Sequence, residues 1–354
     1  MLPQADHLHK IGYACSNTAQ FYLSYNLHLR ARHVSLFLHL PCSTAFFMIR
    51  LNATQWGSIF ALFAAFLFST KAIFIKQAYA LSPLVDATVL MALRMASALP
   101  FFLLICWLNR HHSRNISTRN WLLLIFAGLM GYYFSSWLDF LGLMFISASL
   151  ERIILFLYPT LTVLASSVMY RQKLSWLSLF AITLSYGGTV IVMLQEQSNT
   201  PHDTYFWLGS SLVFASAVCF AGYLLLTKSL IQHFGSWNFT GLALSIACIG
   251  TLTHYSLVTP NPLGLIQQLP LEVLGYGIAL GIFVTVLPTL LMAHSIARLG
   301  AAQSAMIASI GPILTIFLAT AFLGEHLNGI QWFSYMLNII DVMVFTLFAN
   351  KFSH

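Results

Sequence analysis

Charged side chains are so sparse along this chain that the intervals between them carry the pattern. No Asp, Glu, Lys or Arg lies between Arg119 and Asp139, Arg152 and Arg171, Lys173 and Glu196, or Asp203 and Lys228. The same holds between Lys228 and Glu272, Glu272 and Arg298, and Arg298 and Glu325. A helix needs about 20 apolar residues to cross a hydrocarbon layer of about 30 Å. The pattern predicts ten such spans, at 57–75, 86–108, 121–142, 148–169, 174–194, 206–227, 238–258, 271–293, 301–323 and 329–349. The long uniform apolar runs lack the alternation of a membrane β-barrel. The expected fold class is an all-α integral membrane protein.

Composition agrees. Of 354 residues, 58% are hydrophobic and 7% charged, against about 25% charged in soluble domains. So few charges cannot cover a water-facing surface, and a soluble globular domain is excluded. The net charge of +7 reads as orientation rather than as a nucleic-acid patch. Twelve Lys and Arg fall in the loops of one side, against Lys76 alone on the other. This places both termini in the cytoplasm and the chain in the cell membrane, multi-pass, among membrane lipid. Five cysteines form no CxxC pair and no metal spacing, so neither a disulfide framework nor a metal or cofactor site is expected. Residues 1–56 form an N-terminal tail. Its first 47 residues hold five histidines and one acid, Asp6. They read either as a loose interfacial segment or as sequence upstream of a start at Met48.

The two halves repeat one another. Gly57 to Lys76 matches Gly209 to Lys228, Ala148 to Pro159 matches Ala301 to Pro312, and Gly128 matches Gly281. The shared shift of 152–153 residues is what persuades. It predicts two five-span repeats, 57–194 and 206–349. Five is odd, so the second repeat enters the membrane inverted relative to the first. Inverted repeats are an architecture of secondary transporters, with the substrate site between the halves.

Residues 128–193 read GLMGYYFSSWLDFLGLMFISASLERIILFLYPTLTVLASSVMYRQKLSWLSLFAITLSYGGTVIVM, and 279–327 read ALGIFVTVLPTLLMAHSIARLGAAQSAMIASIGPILTIFLATAFLGEHL. With the central prolines, the GEHL turn and Arg94 in ALRMASALPFFLL, they resemble the two EamA-type repeats of the drug/metabolite transporter superfamily. The resemblance covers residues 57–349. It implies a ten-helix carrier of small metabolites, in many members an exporter of amino acids or related solutes. The chain departs from the family at RQKL (171–174), where an acidic GE turn usually stands, and at Ser334 and Asp341, where glycines are usual.

A charge inside the bilayer costs about 2.5–3.5 kcal/mol on insertion scales and marks a functional candidate. Lys71, Arg94, Asp139, Glu151 and Arg152 all fall in the first repeat and in the outer half of the membrane. They leave one positive charge over. Lys71, Arg94, Glu151 and Arg152 are candidate substrate-binding residues, with Tyr158 and with Tyr223, which corresponds to Lys71 in the repeat. Arg94 is the expected partner of a substrate carboxylate, with Asp139 and Glu151 holding Lys71 and Arg152. Asp139, Glu151, His294 and Asp341 are candidate proton-coupling groups. A structural ion network is the plainer reading of the charges. Pro159 and Pro312 each free the carbonyl four residues back, Leu155 and Ala308. Broken helices at matching repeat positions point to a binding site, and packing kinks are the alternative. No HExxH, GxSxG or paired-aspartate signature favours an enzyme. The expected function is transport of a small-molecule substrate, by a monomer or homodimer. A membrane sensor or non-transporting protein of the same fold is the other reading.

Overall fold

In a computed structural model, residues 52–109, 116–171, 176–199 and 204–325 are described, with 329, 331–333 and 336. The tail and most of the predicted span 329–349, including Asp341, lie outside them. The described residues are helical throughout, without strands.

The first predicted span is two helices, α1 (Ala53–Ser69) and α2 (Lys71–Leu81), separated at Thr70. Next comes α3 (Ala87–Leu108), whose N-cap Asp86 accepts from the Val89 N–H at 2.8 Å. The third span is α4 (Thr118–Gly128), a π-helical segment over Leu129–Phe134, and α5 (Ser135–Gly142). The fourth is broken into α6 (Ala148–Leu155) and α7 (Tyr158–Tyr170). Then follow α8 (Trp176–Asn199), α9 (Phe206–Phe234) and α10 (Ser236–Val258). A short α11 (Pro262–Gln268) leads to α12 (Leu271–Gly281), a second π segment over Ile282–Val286, and α13 (Leu287–Leu299). The last are α14 (Ala301–Ala308) and α15 (Gly311–Leu323).

Among the described residues eight helical stretches are long and apolar enough to cross a membrane. They match predicted spans 1–4 and 6–9. The fifth predicted span is α8, a 24-residue helix. The protein is therefore an all-helical, multi-pass chain with eight candidate spans among the described residues.

The interruptions repeat. The π segments begin at Leu129 and Ile282, and the breaks fall at 156–157 and 309–310, in each case 153 residues apart. Pro159 and Pro312 each occupy the second position of the helix after the break, where a missing N–H costs no intrahelical bond.

The halves also exchange partners. α1 packs on α13, α14 and α15, while α9 packs on α4, α5, α6 and α7. α3 packs against α10 and α12. Glycine permits the closest of these approaches. A Cβ at Gly277 would stand 2.5 Å from Leu93 Cβ, and one at Gly281 2.5 Å from the Arg94 carbonyl oxygen. The GxxxG step Gly277–Gly281 thus seats α12 on α3 inside the bundle.

Candidate functional site

Three helix interruptions meet at one place. The end of α1 contributes Ser69, whose hydroxyl donates to the Gly311 carbonyl at 2.9 Å. Gly311 opens α15, directly after the second repeat's break. Arg152, in the last turn of α6, lies over it: a Cβ on Gly311 would be 3.0 Å from Arg152 Nη2. A side chain at 311 would need the guanidinium to give way by a few tenths of an ångström.

The first repeat's charges gather beside this point. Lys71, the first residue of α2, donates to Asp139 Oδ2 at 2.7 Å and to Glu151 Oε1 at 2.8 Å. Both contacts are ion pairs. Asp139 and Glu151 are buried, at 2% and 0% exposure. Each keeps one oxygen, Asp139 Oδ1 and Glu151 Oε2, buried without a hydrogen-bond partner. One ammonium thus holds two carboxylates in the low-dielectric interior, where the desolvation of all three is costly.

The two arginines differ. Arg94 Nε donates to Thr285 Oγ1 at 2.8 Å, and its Nη1 reaches Ser136 Oγ at 3.4 Å. Thr285 lies in the second π segment and Ser136 closely follows the first. Thr285 in turn donates to the Leu280 carbonyl at 2.8 Å, five residues back, which fits the wider π turn. Arg94 therefore clamps corresponding features of both repeats, and its guanidinium lies 5.4 Å from the Phe140 ring centre. Arg152 is 9% exposed and its Nε has no partner. It makes no ion pair among the described residues; its neighbour is the Phe156 ring, 5.9 Å away. Asp139 and Glu151 both bond Lys71, and neither forms an ion pair with Arg152, whose charge acts on Glu151 only from farther away.

Aromatic rings form a wall beside these charges. Tyr158 packs edge-on to Phe220 at 5.1 Å, Phe220 stacks on Tyr223 at 5.7 Å, and Tyr223 meets Tyr132 at 5.0 Å. The Tyr223 hydroxyl donates to Tyr132 Oη at 3.4 Å. His294 is apart from this group. It is exposed, its Nδ1 is 3.0 Å from the Leu290 carbonyl, and it packs against Phe60 and Trp237. Pro159 and Pro312 flank the site from the two broken helices. Gly311, Thr285 and Ser136 were not singled out from sequence. The shared 153-residue shift carried the signal for the two π segments, since it already pairs Gly128 with Gly281.

Repeated membrane-crossing helices with matching interruptions around a buried charged centre define a multi-pass membrane protein of the transporter class. The EamA-like transporter family matches residues 55–194 and again 207–347. The chain belongs to that family. It is 30% identical over 284 residues to "Uncharacterized transporter YcbK" of Bacillus subtilis strain 168, covering 78% of this chain and 88% of the relative. A second protein of that strain, "Uncharacterized transporter YyaM", is 23% identical, covering 62% of this chain and 71% of the relative. An "S-adenosylmethionine/S-adenosylhomocysteine transporter" of Chlamydia trachomatis serovar L2 is 24% identical, covering 64% of this chain and 68% of the relative. A solved crystal structure shares the fold, with a TM-score of 0.56 and 17% identity over 84% of this chain and 99% of that chain.

Proposed function

We propose that this protein is a secondary carrier that exports a small metabolite, an amino acid or related carboxylate, by alternating access. On this reading two inverted repeats of five helices, 57–194 and 206–349, rock about a site between them. Both termini face the cytoplasm of the cell membrane, and the residues before α1 are a tail outside the transport unit.

The observation that carries the proposal is the guanidinium of Arg152, whose buried Nε has no hydrogen-bond partner and which forms no ion pair among the described residues, at the meeting of three interrupted helices. Buried polar groups are almost always hydrogen-bonded, and a buried charge without a counter-ion is costly. An anionic group on the solute supplies both what Arg152 lacks and the bidentate geometry a guanidinium favours. Arg94 stands ready as a second cation but already spends two N–H groups on Thr285 and Ser136. Tyr158 and Tyr223 give the solute an aromatic wall. Lys71 is neutralised by its carboxylates, and either Asp139 or Glu151 takes up and releases a proton during the cycle. S-adenosylmethionine, named for one relative, bears an α-carboxylate and so falls in the solute class.

The test uses purified protein in vesicles preloaded with a polar metabolite extract, with mass spectrometry of what leaves. The carrier reading expects selective loss of a few carboxylate solutes, absent from protein-free vesicles. Arg152→Gln should abolish that loss, and Arg94→Gln should reduce it. No selective loss would favour a sensor of the same fold. Unchanged loss in both variants would remove the carboxylate site.

A further inference from the structure

The start of α6 is held by carboxylates brought from two distant parts of the chain. Glu325 follows α15 through Gly324, whose φ of +67° ends that helix in the left-handed region. Its Oε1 accepts from the Ala148 N–H at 2.7 Å. Its Oε2 accepts from the Ser149 N–H at 3.1 Å and from the Ser149 hydroxyl at 2.5 Å. Glu196, near the end of α8, accepts from the Ser147 N–H at 3.2 Å. The Ser147 hydroxyl oxygen accepts from the Leu150 N–H at 3.0 Å. Four consecutive N–H groups that a helix start normally leaves open are thus all bonded. Both carboxylates also sit where the helix dipole favours negative charge.

This clasp joins the two repeats, since α6 belongs to the first and Glu325 to the second. Below it α6 and α15 are zipped by apolar side chains: Leu150, Ile153, Ile154 and Ile316 share one buried cluster. At the opposite ends of the same broken helices the partners differ. There α7 packs on α9, while α14 packs on α1 and α13. The N-cap of α14 is Gly300, which has no side chain with which to cap. The residue that corresponds to Glu325 under the 153-residue shift is Gln172, which has no carboxylate. Arg171 and Gly324, the residues before them, share the left-handed backbone.

We propose that Glu325 is a one-sided latch. Its three hydrogen bonds hold α6 and α15 together at one face, and they must part for the carrier to open there. Among the described residues no carboxylate caps a helix start at the opposite face, where the repeats meet by packing of α1 on α13 and by the Arg298 guanidinium 5.1 Å from the Phe60 ring centre, so the resting protein opens at the end bearing Ala301 and Tyr170. The proposal rests on the carrier reading and adds to it which face is shut at rest and by which group.

The test needs no substrate. Tyr158→Cys in the full chain, with the five native cysteines replaced by alanine, reports the central site to a membrane-impermeant charged maleimide. The reagent is applied separately to right-side-out and inverted vesicles. The parent should label from the Ala301 face and slowly from the Glu325 face. Glu325→Ala should raise labelling from the Glu325 face by about tenfold or more, the scale expected when charge-assisted hydrogen bonds are lost. Glu325→Gln, which keeps one acceptor oxygen, should fall between. Ser149→Ala removes one arm of the clasp, leaves the backbone contacts, and should give a rise of about two- to fivefold. It decides the matter if Glu325→Ala does not reach the membrane. Unchanged labelling in Ser149→Ala and Glu325→Gln would overturn the latch while leaving the carrier intact. A thiol at position 158 that labels from neither face in any variant would overturn both.

Discussion

Backbone interruptions recur in the two repeats at the same places: π-helix at 129–134 and 282–286, breaks at 156–157 and 309–310. At the first helix of each repeat the correspondence ends. In the first repeat the helix parts at Thr70 and the next segment starts with Lys71, which is held by Asp139 and Glu151. In the second, α9 runs unbroken for 29 residues, and the position of Lys71 is taken by Tyr223, packed among Tyr132, Phe220 and Phe239. Shared turns and prolines keep the geometry common to both halves. Among the described residues the buried charged side chains, Arg94, Asp139, Glu151 and Arg152, all lie in the first. The described part of the molecule thus has matching helix interruptions but one buried charged cluster.

Removing Lys71 should separate the repeats most sharply. Lys71→Met leaves two buried carboxylates facing each other, a loss of about 3–5 kcal/mol on the scale of broken buried ion pairs. A fall in thermal midpoint in detergent would register it, and adding Asp139→Asn should recover part. Second in size is Gly131, in the first π segment, where a Cβ would run into the Tyr223 ring. Gly131→Ala should cost about 1–3 kcal/mol by overpacking, read from the same melt. Arg94→Gln should lose a similar amount, about 1–3 kcal/mol, because its charge-assisted bonds to Thr285 and Ser136 tie the two π regions together. Tyr223→Phe removes only a 3.4 Å hydroxyl contact and should cost less than about 1 kcal/mol. The smallest expected change is at Arg152. Arg152→Gln removes a charge that forms no ion pair among the described residues, so the melt should hold or rise even as solute loss from vesicles stops. That split between stability and activity is what a binding residue shows and a structural anchor does not.

Much of the fold was legible because the bilayer imposes a simple length rule. The spans predicted at 86–108 and 238–258 lie within two residues of α3 and α10 at each end. The span predicted to end at 227 runs on to Phe234, since the polar stretch TKSLIQHF continues the helix beyond the apolar run. Hydropathy could not show the break at Thr70 or the π turns, because neither alters the apolar composition. The charged residues were all named from sequence, and so was the pairing of Lys71 with Asp139 and Glu151; that Arg152 forms no ion pair with them was not. Lys71 meets Asp139 and Glu151 from positions 68 and 80 residues apart, and only the packing of α2 beside α5 and α6 decides that Arg152 is left out. The GEHL turn was visible as a motif. Its contact with Ala148 and Ser149, 177 and 176 residues away, was not.

Alternating access between inverted repeats requires above all that equivalent residues of the two repeats face opposite sides of the membrane. Arg119 and Glu272 are exposed second residues of α4 and α12, related by the same 153-residue shift. Single cysteines at these two positions, labelled with an impermeant maleimide in sealed vesicles of known orientation, test it directly. The account predicts that a cysteine at position 119 reacts only from the cytoplasmic side and one at position 272 only from the other. Labelling of both from the same side would make the repeats parallel, and would remove both the alternating-access reading and the one-sided latch.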